Sequence, residues 1–300
     1  PDDLDVTFVF AEALMNRTPW QLWDLATGEP TEHSAGPEAR ALLDRAFERP
    51  EAWDHPGLLH MYIHLMEMSP TPEAALRHGD RLTGLVPGAG RRVHMATHID
   101  VLTGDYPSVV TRNLAAADVD RAYKTHAGGE NFYTLYRIHN LHFAIYGAMF
   151  LAQPGVALDV AERLRAEVPD EVVRVYPELF EAFVAARPHV LIRFGMWREI
   201  LDEPIPEDAG LYAFTRALIV YARTVALANL GRAEEAQAEA GRFLAARAAI
   251  PEDRMLFQNK AHDVLGVAEA LMLGEVAYKA GRREEGLDHL REAVRRDDGL

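Results

Sequence analysis

Hydrophobic residues recur at helical spacing along almost the whole chain, and this periodicity constrains the fold more than any other feature. Segments 37–50, 71–86, 157–168, 232–248 and 283–296 carry apolar residues at positions i, i+3, i+4 and i+7. That spacing places the apolar side chains on one face of a helix, where they can pack against a neighbour. The alternation typical of strands is nearly absent, so the sequence predicts an all-α protein.

Short breaks that contain glycine or proline separate the helical segments. They fall at residues 69–72, at 104–107, and at Gly195, Gly231 and Gly281. Many of the segments after the breaks begin with Pro, Asp or Thr followed by acidic residues, as helix N-termini do. The pattern therefore predicts a run of antiparallel helix hairpins.

The last hairpin, residues 273–294, resembles a tetratricopeptide repeat (TPR). It has small, turn or apolar residues at the positions such a repeat uses: Gly274, Ala277, Gly281, Gly286, Leu290 and Ala293. Similar patterns surround Gly231 and Gly104, although the spacing is irregular. The resemblance implies a right-handed solenoid in which the first helix of each pair lines a concave face. We expect a single TPR-like helical-repeat domain over residues 1–300.

The whole chain is also similar to a group of bacterial TPR-like proteins, a resemblance that implies a fold and no activity. The residues that carry it are His55-Pro56-Gly57 with His60 and His64, then residues 86–90 with His94, Met95 and His98, then His139-Asn140 with His142 and Phe143.

Two histidine pairs recur at the repeat interval. The stretch HMYIH (residues 60–64) and the stretch HMATH (residues 94–98) begin 34 residues apart. Residues at i and i+4 share one face of a helix, so each pair presents two imidazoles to the same side. A third cluster lies at residues 139–142. We expect six histidines to face one groove: His60, His64, His94, His98, His139 and His142.

Such a set of imidazoles is suited to a transition metal. Imidazole nitrogen is a ligand for Zn, Cu, Fe and Ni, whereas Mg²⁺ and Ca²⁺ prefer oxygen. We therefore predict one or two ions per chain, copper or iron in the first place and zinc as the alternative. The other interpretation is that these histidines are hydrogen-bonded groove residues or contacts to a bound peptide.

Carboxylates near the histidines could assist as ligands or as general bases. Glu12 lies four residues before Asn16 on an amphipathic segment, and Glu67 follows His64 by three residues, on nearly the same helix face. Asp100 is a further possible ligand. The alternative is that each is an ordinary solvated residue. Second-shell partners are expected among Asn140, Tyr62, Tyr133 and Tyr136.

Two stretches are expected to be irregular and longer than plain repeat turns, namely residues 17–36 and 123–136. Loops of that length are often lids or binding loops. Their aromatic residues could close one end of the groove or cap the solenoid: Trp20, Trp23, Phe132 and Tyr133.

The composition restricts the partners. The chain has 31 basic and 46 acidic residues, a net charge of −15, which argues against nucleic acid or an anionic membrane as the main partner. Without cysteine there is neither a disulfide nor a thiolate metal site. No apolar run approaches the ~20 residues that span a bilayer. Because the first residues do not resemble a signal sequence, we expect a cytoplasmic protein. The chain lacks an initiator Met, which leaves open that it is a piece of a longer one.

These features favour a metal-dependent enzyme built on a TPR-like solenoid. An open coordination position would bind O2 or water and support oxidative chemistry on a small organic molecule, with Glu12 or Glu67 assisting. Hydrolysis would be the reaction if the ion were zinc. The alternatives are a scaffold that holds a peptide or protein partner in the concave groove without catalysis, and a structural or metal-storage role.

Overall fold

The structure is a computed structural model that describes residues 3–128 and 133–300. These residues are mainly helical and contain almost no strand, which confirms the predicted all-α class. The chain divides into two compact units, residues 1–151 and residues 152–300, which are described separately. The single repeat domain expected over residues 1–300 stays a prediction.

The first unit contains helices α1 to α8. Their bounds are α1 Leu4–Met15, α2 Gly36–Phe47, α3 Pro56–Met66, α4 Leu76–Leu85, α5 Gly90–Met95, α6 Thr97–Thr103, α7 Tyr106–Ala127 and α8 Tyr133–Phe150. Two short 3₁₀ turns, Pro50–Asp54 and Pro72–Ala75, precede α3 and α4.

The core of this unit is formed by the apolar faces of its amphipathic helices. Leu43 of α2 and Leu59 and Ile63 of α3 are completely buried in one cluster with residues of α1 and α4. Burial of such side chains contributes roughly 1.5–3 kcal/mol each. Helix α3 is apolar on nearly all sides, and it is therefore enclosed by its neighbours and held in a fixed position.

Helices α5 and α6 are nearly one continuous helix. Only Ala96 separates them, and its backbone keeps helical dihedral angles (φ −58°, ψ −29°). His94 and His98, on either side of this residue, therefore remain one turn apart on the same face. Gly104 then ends α6 in the left-handed region, with φ of 80°, as its predicted turn requires.

The two predicted loops differ in outcome. The segment between α1 and α2 is irregular over residues 16–35, as expected. Of the described residues in the segment 123–136, all but Gly128 are helical, contrary to the prediction, because α7 continues through Ala127 and α8 begins at Tyr133. Residues 121–127 contain no helix-breaking residue, so α7 continues up to Gly128. Phe132 lies outside the described residues.

The second unit contains helices α9 to α17 and one minimal hairpin. The bounds are α9 Pro154–Ala166, α10 Asp170–Val175, α11 Pro177–Val184, α12 Ala186–Arg193, α13 Trp197–Leu201, α14 Ala213–Asn229, α15 Ala233–Ala248, β1 Met255–Leu256, β2 Asn259–Lys260, α16 Ala261–Lys279 and α17 Arg283–Asp297. Strands β1 and β2 are antiparallel, with Met255 opposite Lys260.

Helices α16 and α17 pack closely against each other. A Cβ atom at Gly274 would lie 2.8 Å from the Leu290 side chain, and one at Gly286 would lie 2.8 Å from the Tyr278 amide nitrogen. Small residues at both positions therefore let the helices approach closely. The predicted turn glycines Gly231 and Gly281 have φ values of 75° and 86°. Across the described residues of both units, none of the helices has the length and apolar character needed to cross a lipid bilayer.

Candidate metal centre

Five of the six predicted histidines come together inside the first unit. His60 and His64 lie on α3, His94 on α5, His98 on α6 and His139 on α8. His60 and His94 are buried, and the other three rings are partly buried. The i, i+4 pairs produce this arrangement because each pair occupies one face of its helix.

Glu67 connects the two histidine pairs. This residue caps the C-terminus of α3, where its Oε1 atom lies 2.9 Å from Nδ1 of His64. Its Oε2 atom is hydrogen-bonded to Nδ1 of His98. Burial opposes ionisation of the carboxyl, but the nearby His98 and His64 outweigh it and hold the pKa of Glu67 well below its usual value. An ionised carboxylate only accepts hydrogen bonds, so Nδ1 of both imidazoles carries a proton.

Asn113 of α7 fixes the third imidazole. Its Nδ2 atom lies 2.7 Å from the carbonyl oxygen of Val109, which can only accept, so this atom is the amide nitrogen. The Oδ1 atom therefore faces Nδ1 of His94, at 2.6 Å. Burial lowers the pKa of His94 well below its usual value and keeps the ring neutral. It follows that Nδ1 of His94 donates to Asn113, and that Nε2 of the same ring carries a lone pair.

When the His98 ring is neutral, two ring nitrogens meet without a proton between them. Nε2 of His94 lies 2.9 Å from Nε2 of His98. The His98 ring already donates from Nδ1, so its Nε2 atom also carries a lone pair when the ring is neutral. Two facing lone pairs at this distance repel each other. A cation relieves the repulsion, and it can be either an added proton on His98 or a metal ion bound by both nitrogens.

His60 extends the same network at its other end. Its Nε2 atom lies 3.1 Å from Nε2 of His64. Burial lowers the pKa of His60 far below its usual value, so this ring is neutral. His60 can donate to the lone pair of His64, because His64 donates from Nδ1 to Glu67. Polar contacts thus run without a break from His60 through Glu67 to Asn113.

Two groups of side chains could hold a metal ion among the residues that the structure describes. One is His94, His98 and His139, and the other is His64, Glu67 and His98; within each group the ligand atoms lie within 4.8 Å of one another. The His139 ring packs against His94 with centroids 4.7 Å apart. Burial lowers the pKa of His139 to about 3, so the ring is available as a neutral ligand. Phe143 packs against His94, His98 and His139 and forms an apolar wall.

Three predicted site residues lie outside these groups, namely His60, His142 and Glu12. His142 is exposed on α8, and Phe143, four residues after His139, faces the cluster instead. On α8 the fourth residue after His139 faces the cluster, whereas the third residue, His142, faces solvent. Glu12 is exposed on α1 and lines a cavity together with His64 and Glu67.

Two of the partners expected from the sequence, Asn140 and Tyr62, are hydrogen-bonded to other groups. Asn140 donates to Asp120, at 2.7 Å, and the hydroxyl of Tyr62 donates to Asp44. Asp100 is paired with Arg112. Asn113 was missed, although a signal was present. It is a polar residue on the buried face of α7, where its neighbours are Val109, Val110, Ala116 and Ala117.

The cavity beside the centre has a volume of about 120 Å³. Its lining residues are Glu12, Met15, Asn16, Pro19, Trp20, Leu22, Met61, His64, Glu67 and Met68. The irregular segment 16–35 borders it. Trp23 of that segment donates from Nε1 to the carbonyl oxygen of Leu65, at 2.8 Å, and so fixes the segment to the end of α3.

Comparison of the chain with protein-family models, curated proteins and solved structures finds no match. The TPR-like identity therefore stays a prediction.

Proposed function

We propose that this protein is a transition-metal-dependent enzyme that carries out oxidative chemistry on a small organic molecule, with the ion held by His94, His98 and His139. The observation that carries the proposal is the contact between the two Nε2 atoms, 2.9 Å apart, of rings whose Nδ1 atoms already donate to Asn113 and Glu67. Carboxylate and amide partners on the far nitrogen are what metal-binding imidazoles need, because they fix the tautomer and the ring orientation.

The present spacing of the two nitrogens fits copper or iron coordination without rotation of either ring. Two nitrogens 2.9 Å apart, each ~2.0–2.1 Å from one ion, subtend an angle of about 90° at that ion. This is the angle between adjacent ligands in octahedral or square-planar coordination, whereas a tetrahedral ion needs nitrogens about 3.3 Å apart. Zinc-dependent hydrolysis is the corresponding alternative, and a small rotation of either ring would reach its geometry.

The proposal assigns separate roles to the residues of the centre. His94, His98 and His139 would bind the ion, and three protein ligands leave coordination positions for O2, water or a substrate. Asn113 and Glu67 would orient the rings, while Phe143 excludes water from one side. Glu67 uses both oxygens on imidazoles, so we propose it as a positioning residue. Its role as a general base, and that of Glu12, stay predictions.

We also propose that the helices belong to a TPR-like solenoid of antiparallel hairpins. Support comes from the close α16–α17 pair and from left-handed glycines at the turns Gly104, Gly231 and Gly281. The handedness of the solenoid, a protein partner in its groove and the cytoplasmic location stay predictions from the sequence.

The test is metal analysis of protein purified without a His-tag and reconstituted separately with Cu(II), Fe(II) and Zn(II). We expect about one tightly bound ion per chain in the wild type and its loss in the variants His94→Ala and His139→Ala. His142→Ala is the matched control, since it removes an exposed histidine of α8 and should keep the ion. Circular dichroism verifies that each variant is folded.

The proposal fails if the wild type holds no stoichiometric copper, iron or zinc after reconstitution, or if His142→Ala loses the ion as readily as His94→Ala. The repulsion between His94 and His98 would then be relieved by a proton. A scaffold that binds a peptide or protein would then be the favoured function.

A further inference from the structure

The cavity beside the centre has charged and apolar walls that together select one kind of small molecule. We propose that it binds a small organic amine, with the ammonium group at Glu12 and the apolar body against the methionines. That the amine is the substrate rests on the proposed function. That it binds rests on the cavity alone.

The charges on the wall favour a cation. Glu12 and Glu67 both line the cavity, and the lining residues that the structure describes include no lysine or arginine. Glu67 already accepts from two imidazoles. Glu12 is exposed on α1, so its carboxylate is the one that can accept from a bound ammonium group. An anionic ligand would be repelled by the same pair of carboxylates.

The rest of the wall is apolar and polarizable. Met15, Leu22, Met61 and Met68 contribute it, and Met15, Leu22 and Met61 are largely buried. Thioether side chains are flexible and adapt to irregular ligands. Trp20 adds an indole ring, which attracts cations through its face. An alkyl or small aromatic amine matches this combination of one carboxylate and an apolar lining.

The size of the cavity limits the ligand. A cavity of about 150 Å³ holds benzene, so the 120 Å³ available here admits an apolar body of about four to six carbon atoms. His64 and Glu67 form part of the wall, so a molecule of this length at Glu12 also reaches the imidazole network.

The border of the cavity has an unusual backbone. Trp20 has a positive φ of 57°, although it is a bulky residue, and its side chain is 61% exposed. Left-handed backbone is uncommon for such a residue. The Trp23–Leu65 hydrogen bond holds the neighbouring part of the segment. Trp20 is therefore kept at the cavity opening even though burial does not stabilise it there.

The experiment compares three ligands of one length: n-butylamine, n-butanol and butyrate. Binding is followed by NMR chemical-shift titration of metal-free and of metal-reconstituted protein. We expect butylamine to bind most tightly and butyrate to bind weakest in both forms. Glu12→Gln should weaken butylamine binding about tenfold, because the glutamine oxygen can still accept from the ammonium group but no longer carries a negative charge. Glu32→Gln, which removes an exposed carboxylate away from the cavity, is the matched control.

The inference is overturned if butyrate binds as tightly as butylamine, or if Glu12→Gln and Glu32→Gln have the same effect. Metal analysis of the same samples separates the two proposals. Protein that binds an ion but not butylamine refutes the amine site alone. Protein that binds butylamine through Glu12 but holds no ion supports the amine site and refutes the metal-dependent enzyme.

Discussion

Replacement of Asn113 tests how the structure orients His94. In Asn113→Leu the side chain keeps a similar volume but no longer accepts from Nδ1 of His94, now 2.6 Å from the Asn113 oxygen. The buried imidazole N–H then keeps only the Thr97 hydroxyl, 3.4 Å away, and the loss of the shorter hydrogen bond costs about 1–3 kcal/mol of unfolding free energy. The ring is also free to change tautomer, so we expect the affinity for the metal to fall about 10–100-fold.

Asn113→Asp separates the orienting role from stability. An aspartate still accepts from His94, but it cannot donate to Val109 or Thr97, as the Asn113 amide does now. We therefore expect both variants to be less stable in urea unfolding, whereas only Asn113→Leu should bind the ion more weakly in a competition assay with a chelator.

The tautomer can also be read directly. Imidazole ¹H–¹⁵N correlation spectra of the metal-free wild type should place the His94 proton on Nδ1. A proton on Nε2 would refute the hydrogen-bond assignment, and equal affinity losses in the two variants would refute the orienting role of Asn113.

Two further predictions concern the support around the centre. Gly90→Ala should lower the unfolding free energy by about 1–3 kcal/mol, because its Cβ would collide with the Asp120 carboxylate. Gly88→Ala has open space around the new Cβ and should change the unfolding free energy little. Equal effects of the two substitutions in thermal unfolding would contradict this. Burial raises the pKa of Asp120 to about 6. The stability that the protonated carboxyl contributes is therefore fully present below about pH 4 and is lost as the pH rises towards 6. The unfolding free energy measured in urea should therefore decrease between pH 4 and pH 6 by up to about 3 kcal/mol less in Asp120→Asn than in the wild type. Equal decreases in the two proteins would contradict this.

The two histidine pairs were predictable because they depend on local geometry. His60 with His64, and His94 with His98, are four residues apart, and any helix places such residues on one face. The two Nε2 contacts, at 3.1 and 2.9 Å, follow this rule within each pair. His142 is three residues after His139, not four, and it lies on the side of α8 that faces solvent.

The orienting groups were not predictable, because they lie far from the histidines in sequence. Asn113 follows His94 by 19 residues, and Glu67 precedes His98 by 31. The sequence placed Glu67 beside His64 and proposed it as a ligand or base. Only the packing of α6 near the end of α3 shows that its second oxygen accepts from another helix.

By itself, the sequence determined the all-α class, the turn glycines and the histidine pairs, since each depends on the conformation of a few consecutive residues. The tertiary structure decided which nitrogen of each imidazole carries its proton. It also decided that Glu12 lines a cavity instead of joining the ligand groups. Hydrogen bonds and cavities depend on distances between helices, and these distances are set by the packing of side chains from the whole core.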